Sequence, residues 1–296
     1  MQSLKKLLIS AKENIPFYTE KLSGYDLENS SFEEAFDNLP IVDKKLLKAN
    51  YRLFVDKCIP TELLDEMVYT EKYVHGKTLE YEHNGKNYVT DFTSGTTGTP
   101  FVSVKSANER MLLSRDLWYF RNKLSPVLPR DLISLLFNQG LEQFEHLEYQ
   151  EKIKQQLEYL KNTSYSWWQL QIYEAEKYCE YITKGNPVTF ANLKVIEHTG
   201  SYISVEEKEY IEKIMKVTLA SHYGCREAWL IAYTCKYFHH HLNEKGILTE
   251  IIDDDGNIIT EPNKPGSLVI TTLRLKTMPL IRYEVGDYVC YMDSKS

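Results

Sequence analysis

The residues Asp91-Phe92-Thr93-Ser94-Gly95-Thr96-Thr97-Gly98-Thr99-Pro100 concentrate the groups best suited to holding an anion. Two glycines allow the backbone a tight turn and a close approach, and Thr93, Ser94, Thr96, Thr97 and Thr99 add hydroxyl donors to any inward-turned amides. This is the composition of a phosphate cradle. It is not of the Walker type, which closes with Gly-Lys-Ser/Thr ahead of a helix; Gly76-Lys77-Thr78 has Glu71 where the leading glycine belongs. The following Phe101-Val102-Ser103-Val104-Lys105 alternates apolar and polar residues, so the loop joins two strands. An ordinary hydroxyl-rich hairpin loop has the same composition, and these residues alone leave both readings open.

A second group with ligand chemistry is Cys235 with His239, His240 and His241. The spacing suits zinc, but a tetrahedral structural site takes four ligands, and Cys290 is the only thiol further on. A polar turn with a partly buried cysteine is the better account, and zinc is not expected.

Such groups need elements to hold them. Leu4, Leu7, Leu8 and Ala11 fall at helical spacing, and Asn14-Ile15-Pro16 ends that helix because the residue before proline is biased away from the helical region. Leu39-Pro40-Ile41-Val42-Asp43-Lys44 reads as a turn into a helix capped by Asp43. Residues 60–90 are mixed and polar, with a strand expected over 68–74. A helix over 107–123 carries Met111, Leu112, Trp118 and Tyr119 on its apolar side, and a buried strand follows over 132–137. Residues 142–161 and 167–182 read as amphipathic core helices. A strand over 188–196 leads into Glu197-His198-Thr199-Gly200-Ser201, and one over 217–220 into Ser221-His222-Tyr223-Gly224. Two such junctions fit the rule that α/β sheets bind ligands at the carboxyl ends of their strands. Beyond residue 245 the pattern is all β, with strands over 247–252, 258–260, 267–273 and 280–291. The expected fold class is α/β: a layered body over 1–245 and a small β-rich subdomain over 246–296 of the same large domain.

Composition bounds the function. With 296 residues, 43% of them hydrophobic, the chain can bury a large core. A net charge of −7 and no long basic run argue against nucleic acid, so a small substrate or a protein partner is expected. Five scattered cysteines suit a reducing compartment, and no span approaches the roughly 20 apolar residues of a membrane helix. A soluble cytoplasmic protein is the expectation.

Thr-Ser-Gly-Thr-Thr-Gly-x-Pro resembles the signature of adenylate-forming (AMP-binding) enzymes, where it holds the ATP phosphates. Three further segments resemble the family's nucleotide site in the same order. Gly200-Ser201 resembles the loop that covers adenine. Tyr223-Gly224-Cys225-Arg226-Glu227 resembles Tyr-Gly-x-Thr-Glu, in which the tyrosine stacks on adenine and the glutamate gives Mg²⁺ the hard oxygen it requires. Arg282-Tyr283-Glu284-Val285-Gly286-Asp287 resembles Arg-Tyr-x-x-Gly-Asp, whose aspartate accepts both ribose hydroxyls. Asn14-Ile15-Pro16-Phe17-Tyr18 and Leu39-Pro40-Ile41 followed by Lys44 resemble the opening of phenylacetate-CoA ligases and the related capsule-biosynthesis (CapK-like) proteins. The resemblance covers essentially the whole chain.

It implies ATP-dependent activation of a small carboxylic acid. The carboxylate attacks the α-phosphorus, pyrophosphate leaves, and the acyl group passes to a nucleophile, usually the thiol of coenzyme A, with donors and Mg²⁺ stabilising the phosphoryl charge. Glu227, Arg226, Thr96 and Thr97 would act in catalysis; Thr93, Ser94, Gly95, Gly98, Gly200, Ser201, Tyr223, Gly224, Arg282 and Asp287 would bind nucleotide. Residues 137–140 and Trp229 are expected at the acid pocket.

Three departures qualify this expectation. Phe101 stands where such a loop has lysine, so hydroxyls and amides are expected to hold phosphate unaided. Arg226 stands for a threonine and could clamp the α-phosphate or fill its place. Family members continue past Gly-Asp into a mobile C-terminal domain of roughly 100 residues, the size of a small domain, which carries the lysine that drives adenylation. This chain reaches only Ser296, nine residues beyond Asp287. A truncated chain, a separately encoded C-terminal domain or carrier protein, or a nucleotide-binding module without turnover are the readings left open. An interaction scaffold built on the aromatic residues 167–181 is the remaining alternative.

Overall fold

The computed structural model describes residues 1–29, 32–70, 78–93, 101–136 and 141–293. Its elements run α1 (Gln2–Asn14), α2 (Pro16–Lys21), α3 (Phe32–Asp37), α4 (Lys44–Ala49), α5 (Tyr51–Phe54), α6 (Thr61–Val68), β1 (Thr78–His83), β2 (Lys86–Phe92), β3 (Val102–Ser106) and α7 (Ala107–Leu124). There follow β4 (Leu132–Ser134), α8 (Tyr149–Lys161), β5 (Trp167–Leu170), α9 (Ile172–Thr183), β6 (Val195–Thr199), α10 (Val205–Met215) and β7 (Thr218–Tyr223). The last strands are β8 (Ala232–Thr234), β9 (His240–Leu242), β10 (Ile247–Ile252), β11 (Gly266–Thr272) and β12 (Tyr283–Val289). The chain groups into two compact units, one of residues 1–116, 225–229 and 243–296, the other of 117–224 and 230–242.

The first unit holds two three-stranded antiparallel sheets, β1-β2-β3 and β10-β11-β12. The β1–β2 hairpin turns through Asn84-Gly85, both at positive φ, the pair favoured in two-residue turns because their twist matches that of the strands. The register of β2 and β3 sets Asp91 opposite Ser103 and Phe92 opposite Val102, so the two strands root the residues between 93 and 101. Val42, just ahead of α4, bridges to Tyr283 in parallel, and Asp43 caps α4 by accepting from Leu46 N–H at 2.6 Å.

The second unit is one six-stranded sheet ordered β4 to β9, parallel through β7 and antiparallel beyond it. The neighbours Trp167 and Trp168, both fully buried, point into different cores, as successive strand residues must. Trp168 packs with Leu157, Tyr178 and Ile211 from α8, α9 and α10, while Trp167 packs with Leu117, Leu230 and Tyr233. Helices on both faces account for strands that read as continuous apolar runs.

Several local expectations need correction. Residues 167–170 are a strand rather than the start of a helix, since their aromatic loading serves both faces of a sheet. Residues 61–68 are helical where a strand was expected from 68, and the rest of that expected strand, 71–77, lies outside the described residues. The strand expected over 188–196 forms only at Val195–Thr199. On α7, Met111 and Tyr119 are exposed; the inward stripe is Glu109, Leu113, Asp116, Leu117 and Arg121. Three charged residues on that stripe hide it from a hydrophobicity count, and each has a partner: Glu109 accepts from Lys276 N–H and Thr277 N–H, Asp116 pairs with Arg274, and Arg121 with Glu197. The stretch 246–296 is β-rich and groups with residues 1–116, so the compact units do not divide at residue 245.

Candidate functional site

In the first unit, the base of the threonine/glycine loop is closed by a reciprocal pair. Thr93 N–H donates to the Phe101 carbonyl at 3.0 Å, and Phe101 N–H donates to Thr93 Oγ1 at 3.1 Å. Ser94, Gly95, Thr96, Thr97 and Gly98 lie outside the described residues, as do 137–140. Beneath the base sits Asp91, fully buried, with Lys105 Nζ at 3.2 Å and Trp229 Nε1–H donating at 3.3 Å to one oxygen. The other oxygen accepts from Thr78 Oγ1 at 3.1 Å and has Arg110 at 3.7 Å. Burial pushes the Asp91 carboxyl upward, but the Lys105 and Arg110 charges outweigh it and hold the group below the ordinary carboxylate range.

The same lysine reaches further. Lys105 Nζ also donates to Ser103 Oγ at 2.7 Å and to the Arg226 carbonyl at 3.3 Å. Residues 225–229 form a single helical turn, with Trp229 N–H donating to the Cys225 carbonyl at 2.6 Å and Trp229 in the left-handed region at φ 64°. Arg110 lies over the Trp229 ring at 5.1 Å. The turn carrying Arg226 and Glu227 is thereby fastened to the strands that root the loop. Trp229 contacts Asp91 and Arg110 in this network, where the sequence suggested a pocket wall.

Glu227 points into the protein, 1% exposed. Its Oε1 receives Lys44 Nζ at 2.9 Å and the Tyr283 hydroxyl at 3.2 Å, and the Cys225 thiol also hydrogen-bonds it. Burial, and then the Glu227 charge, raise the Cys225 thiol and the Tyr283 phenol far above their ordinary values, so both are neutral donors. Among the described residues no group of three acidic, histidine or cysteine side chains is placed to hold a metal ion. Among the described residues, one carboxylate already paired with an ammonium does not by itself fit a magnesium site held by the protein.

Arg282 and Asp287 go to different surroundings. The Arg282 guanidinium is buried, with Nη1 donating to the carbonyls of Asp37 and Leu39 at 2.8 Å each and Nη2 paired with Glu250 at 3.1 Å. It clasps the residues before α4. Asp287 is exposed on β12, beside Gly286 at φ 97°, where three residues of β12, 285–287, face the single residue Leu268 of β11 and form a bulge.

In the second unit, β6 and β7 pair in parallel through Thr199 and His222, and the next residues, Gly200 and Tyr223, lie together at their carboxyl ends. Gly200 adopts φ 98°, which a side chain would strain, and the Ser201 carbonyl is 2.7 Å from His198 Nε2. Tyr223 meets the His240 ring edge-on at 6.3 Å, and Gly224 follows it. Lower in the sheet Glu197 is fully buried, bound by Arg121 through two bonds of 2.7 and 2.6 Å, by the Tyr233 hydroxyl at 2.7 Å and by Gln169 at 2.9 Å. Cys235 closes the turn between β8 and β9, its N–H donating to the His239 carbonyl at 2.9 Å.

Sequence reasoning passed over Lys44, Asp91, Lys105 and Arg110 as functional groups. A signal was present: Ser103 and Lys105 occupy the polar face of β3, and Asp91 occupies the same face of β2, yet all three are buried.

No family model and no curated protein matches the chain. Among solved structures, 2-hydroxyisobutyryl-CoA ligase in an open conformation with 2-HIB-AMP and CoA aligns with 100% of this chain and 70% of its own, at a TM-score of 0.72 and 16% identity. The same ligase in its postadenylation state is covered over 62% of its length. The anthranilate CoA ligase AuaEII in complex with anthranoyl-AMP aligns with 70% of this chain and 45% of its own, at a TM-score of 0.51 and 10% identity. The amide bond synthetase McbA from Marinactinospora thermotolerans aligns with 70% of this chain and 47% of its own, at 0.50 and 17% identity. This chain thus spans 62–70% of the length of the 2-hydroxyisobutyryl-CoA ligase structures cited. At these identities the likeness is one of architecture, and the chain has the α/β fold of adenylate-forming ligases.

Proposed function

We propose that this chain binds ATP and AMP and activates a small carboxylic acid as its acyl-adenylate, for transfer to coenzyme A or another nucleophile. The observation that carries this reading is the fastening of the Cys225–Trp229 turn to the strands that root the loop, through Lys105 to the Arg226 carbonyl and Trp229 to Asp91. Segments more than a hundred residues apart, each resembling part of one nucleotide site, meet in one compact unit. In this reading Thr93 to Gly98 hold the phosphates and Arg226 meets the α-phosphate. Gly200, Ser201, Tyr223 and Gly224 take the adenine, and Asp287 takes the ribose. Any magnesium would come with the triphosphate, whose own oxygens supply most of its ligands. The reaction would be cytoplasmic, on the phenylacetate-CoA ligase and CapK-like branch.

Calorimetry with AMP and ATP, followed by pyrophosphate exchange into ATP across aryl and aliphatic acids, tests the proposal. Binding with acid-dependent exchange supports it; absence of nucleotide binding sinks it. The Lys44 ion pair on Glu227 and arginine at 226 favour a second reading, a nucleotide- or acyl-adenylate-binding module without turnover. Tight AMP binding with no exchange for any acid would select that one.

A further inference from the structure

The ammonium of Lys44 is 43% exposed at the side chain, while the carboxylate it meets is 2% exposed. This is a solvent-facing cation set on a buried anion. Lys44 also lies over the Phe101 ring at 5.6 Å, and Phe101 is the first described residue after the loop. Tyr51 stacks on the same ring at 5.8 Å, and its hydroxyl accepts from Val102 N–H at 2.7 Å, which fixes the ring. The position of Lys44 is itself enforced. Val42 N–H donates to the Arg282 carbonyl at 2.8 Å, Glu284 N–H donates to the Val42 carbonyl at 2.9 Å, and Asp43 caps the helix that Lys44 begins.

We propose that Lys44 is the cation serving Glu227: its ammonium pairs with the buried carboxylate and holds it in place beside the root of the loop, in the role a divalent metal would otherwise serve. The proposal rests on the nucleotide reading above, since it concerns the charge presented to an anionic ligand. Lys44 is a positioning residue. Removing it leaves Glu227 as an uncompensated negative charge near a phosphate site, unless a divalent ion replaces the ammonium.

The test is AMP binding by calorimetry in EDTA and in magnesium chloride, for the wild type, Lys44→Met, Lys44→Arg and Glu227→Gln. AMP is chosen because it carries little metal of its own. In the wild type, affinity in the two buffers should agree to within about twofold, a difference well under 1 kcal/mol. Lys44→Met should lose on the order of tenfold or more in EDTA, about 1.4 kcal/mol, and recover in magnesium. Lys44→Arg should behave as the wild type. Glu227→Gln, which keeps the Tyr283 bond and should fold even if Lys44→Met does not, should bind AMP in EDTA at least as well as the wild type.

Wild-type binding that collapses in EDTA would overturn the proposal. So would Lys44→Met binding as tightly as Lys44→Arg without metal, or Glu227→Gln losing AMP. If the wild type binds AMP in neither buffer, the nucleotide reading itself has failed, and this proposal falls with it.

Discussion

Each compact unit sets a fully buried carboxylate, Asp91 in the first and Glu197 in the second, at the centre of a polar network, and the two networks are built differently. Glu197 in the second unit takes two guanidinium bonds, a phenol and an amide, all between 2.6 and 2.9 Å. Its partners come from α7, β5 and β8, so the knot ties regular elements together and is shut from solvent. Asp91 in the first unit takes contacts of 3.1 to 3.7 Å from Lys105, Arg110, Trp229 and Thr78. Three of these, Thr78, Arg110 and Trp229, are only half-buried, and Trp229 belongs to an irregular turn. Short bidentate bonds among rigid elements suit a structural post. Longer bonds that reach from strand to turn tie an irregular segment to the sheet, among the residues that the proposed function assigns to nucleotide.

The sharpest way to break this contrast is Arg121→Met, which strands Glu197 in the interior. Loss of one partner of a buried pair costs about 3–5 kcal/mol, measurable by urea denaturation, while AMP affinity of the remaining folded protein should hold. Burial alone would raise the Glu197 carboxyl, but Arg121 holds it below its ordinary value, so its stabilisation is fully present above about pH 4. It is lost as pH falls through the lowered folded value. The stability gap between the wild type and Arg121→Met should therefore be widest at neutral pH and narrow in acid; a gap that grows in acid would contradict the assignment.

Asp91→Asn should cost somewhat less, about 3 kcal/mol, because the amide still accepts from Trp229. Unlike the first variant it should also weaken AMP, since it loosens the turn that carries Arg226. A stability loss with unchanged AMP affinity would erase the distinction between the two networks. Arg226→Thr comes next: it should shift AMP affinity by about tenfold or 1.4 kcal/mol with little change in melting, and no shift would mean that the side chain plays no part at the phosphate. Arg110→Gln, acting on a pair that is 31% exposed on the arginine side, should change stability by less than about 1 kcal/mol.

What was readable beforehand followed from period and punctuation. The strands expected near 132 and 217 and those of the tail near 247, 267 and 280 are local signals, and strands formed there at 132–134, 218–223, 247–252, 266–272 and 283–289. Residues 167–170 misled because a short aromatic run reads alike as helix or strand until the sheet around it is known. The charged stripe of α7 misled because Glu109, Asp116 and Arg121 are each buried against partners in distant segments. The motifs gave Glu227 and Arg282 as site residues, but could not give what they touch. Lys44 stands far from Glu227 in sequence, and Arg282 spends its donors on the carbonyls of residues 37 and 39.

That last clasp has a consequence for how the molecule comes into being. It ties positions 245 residues apart, so nothing before residue 282 has been synthesised can close it. At ribosomal rates of about 5–20 residues per second, the segment ahead of α4 waits on the order of ten seconds or more for its partner strand. Until then the bond from Val42 N–H to the Arg282 carbonyl, two residues ahead of Lys44, cannot form either. The setting of the segment before α4 would thus be among the last features to mature on a nascent chain, and slow maturation is what such long-range contacts lead one to anticipate.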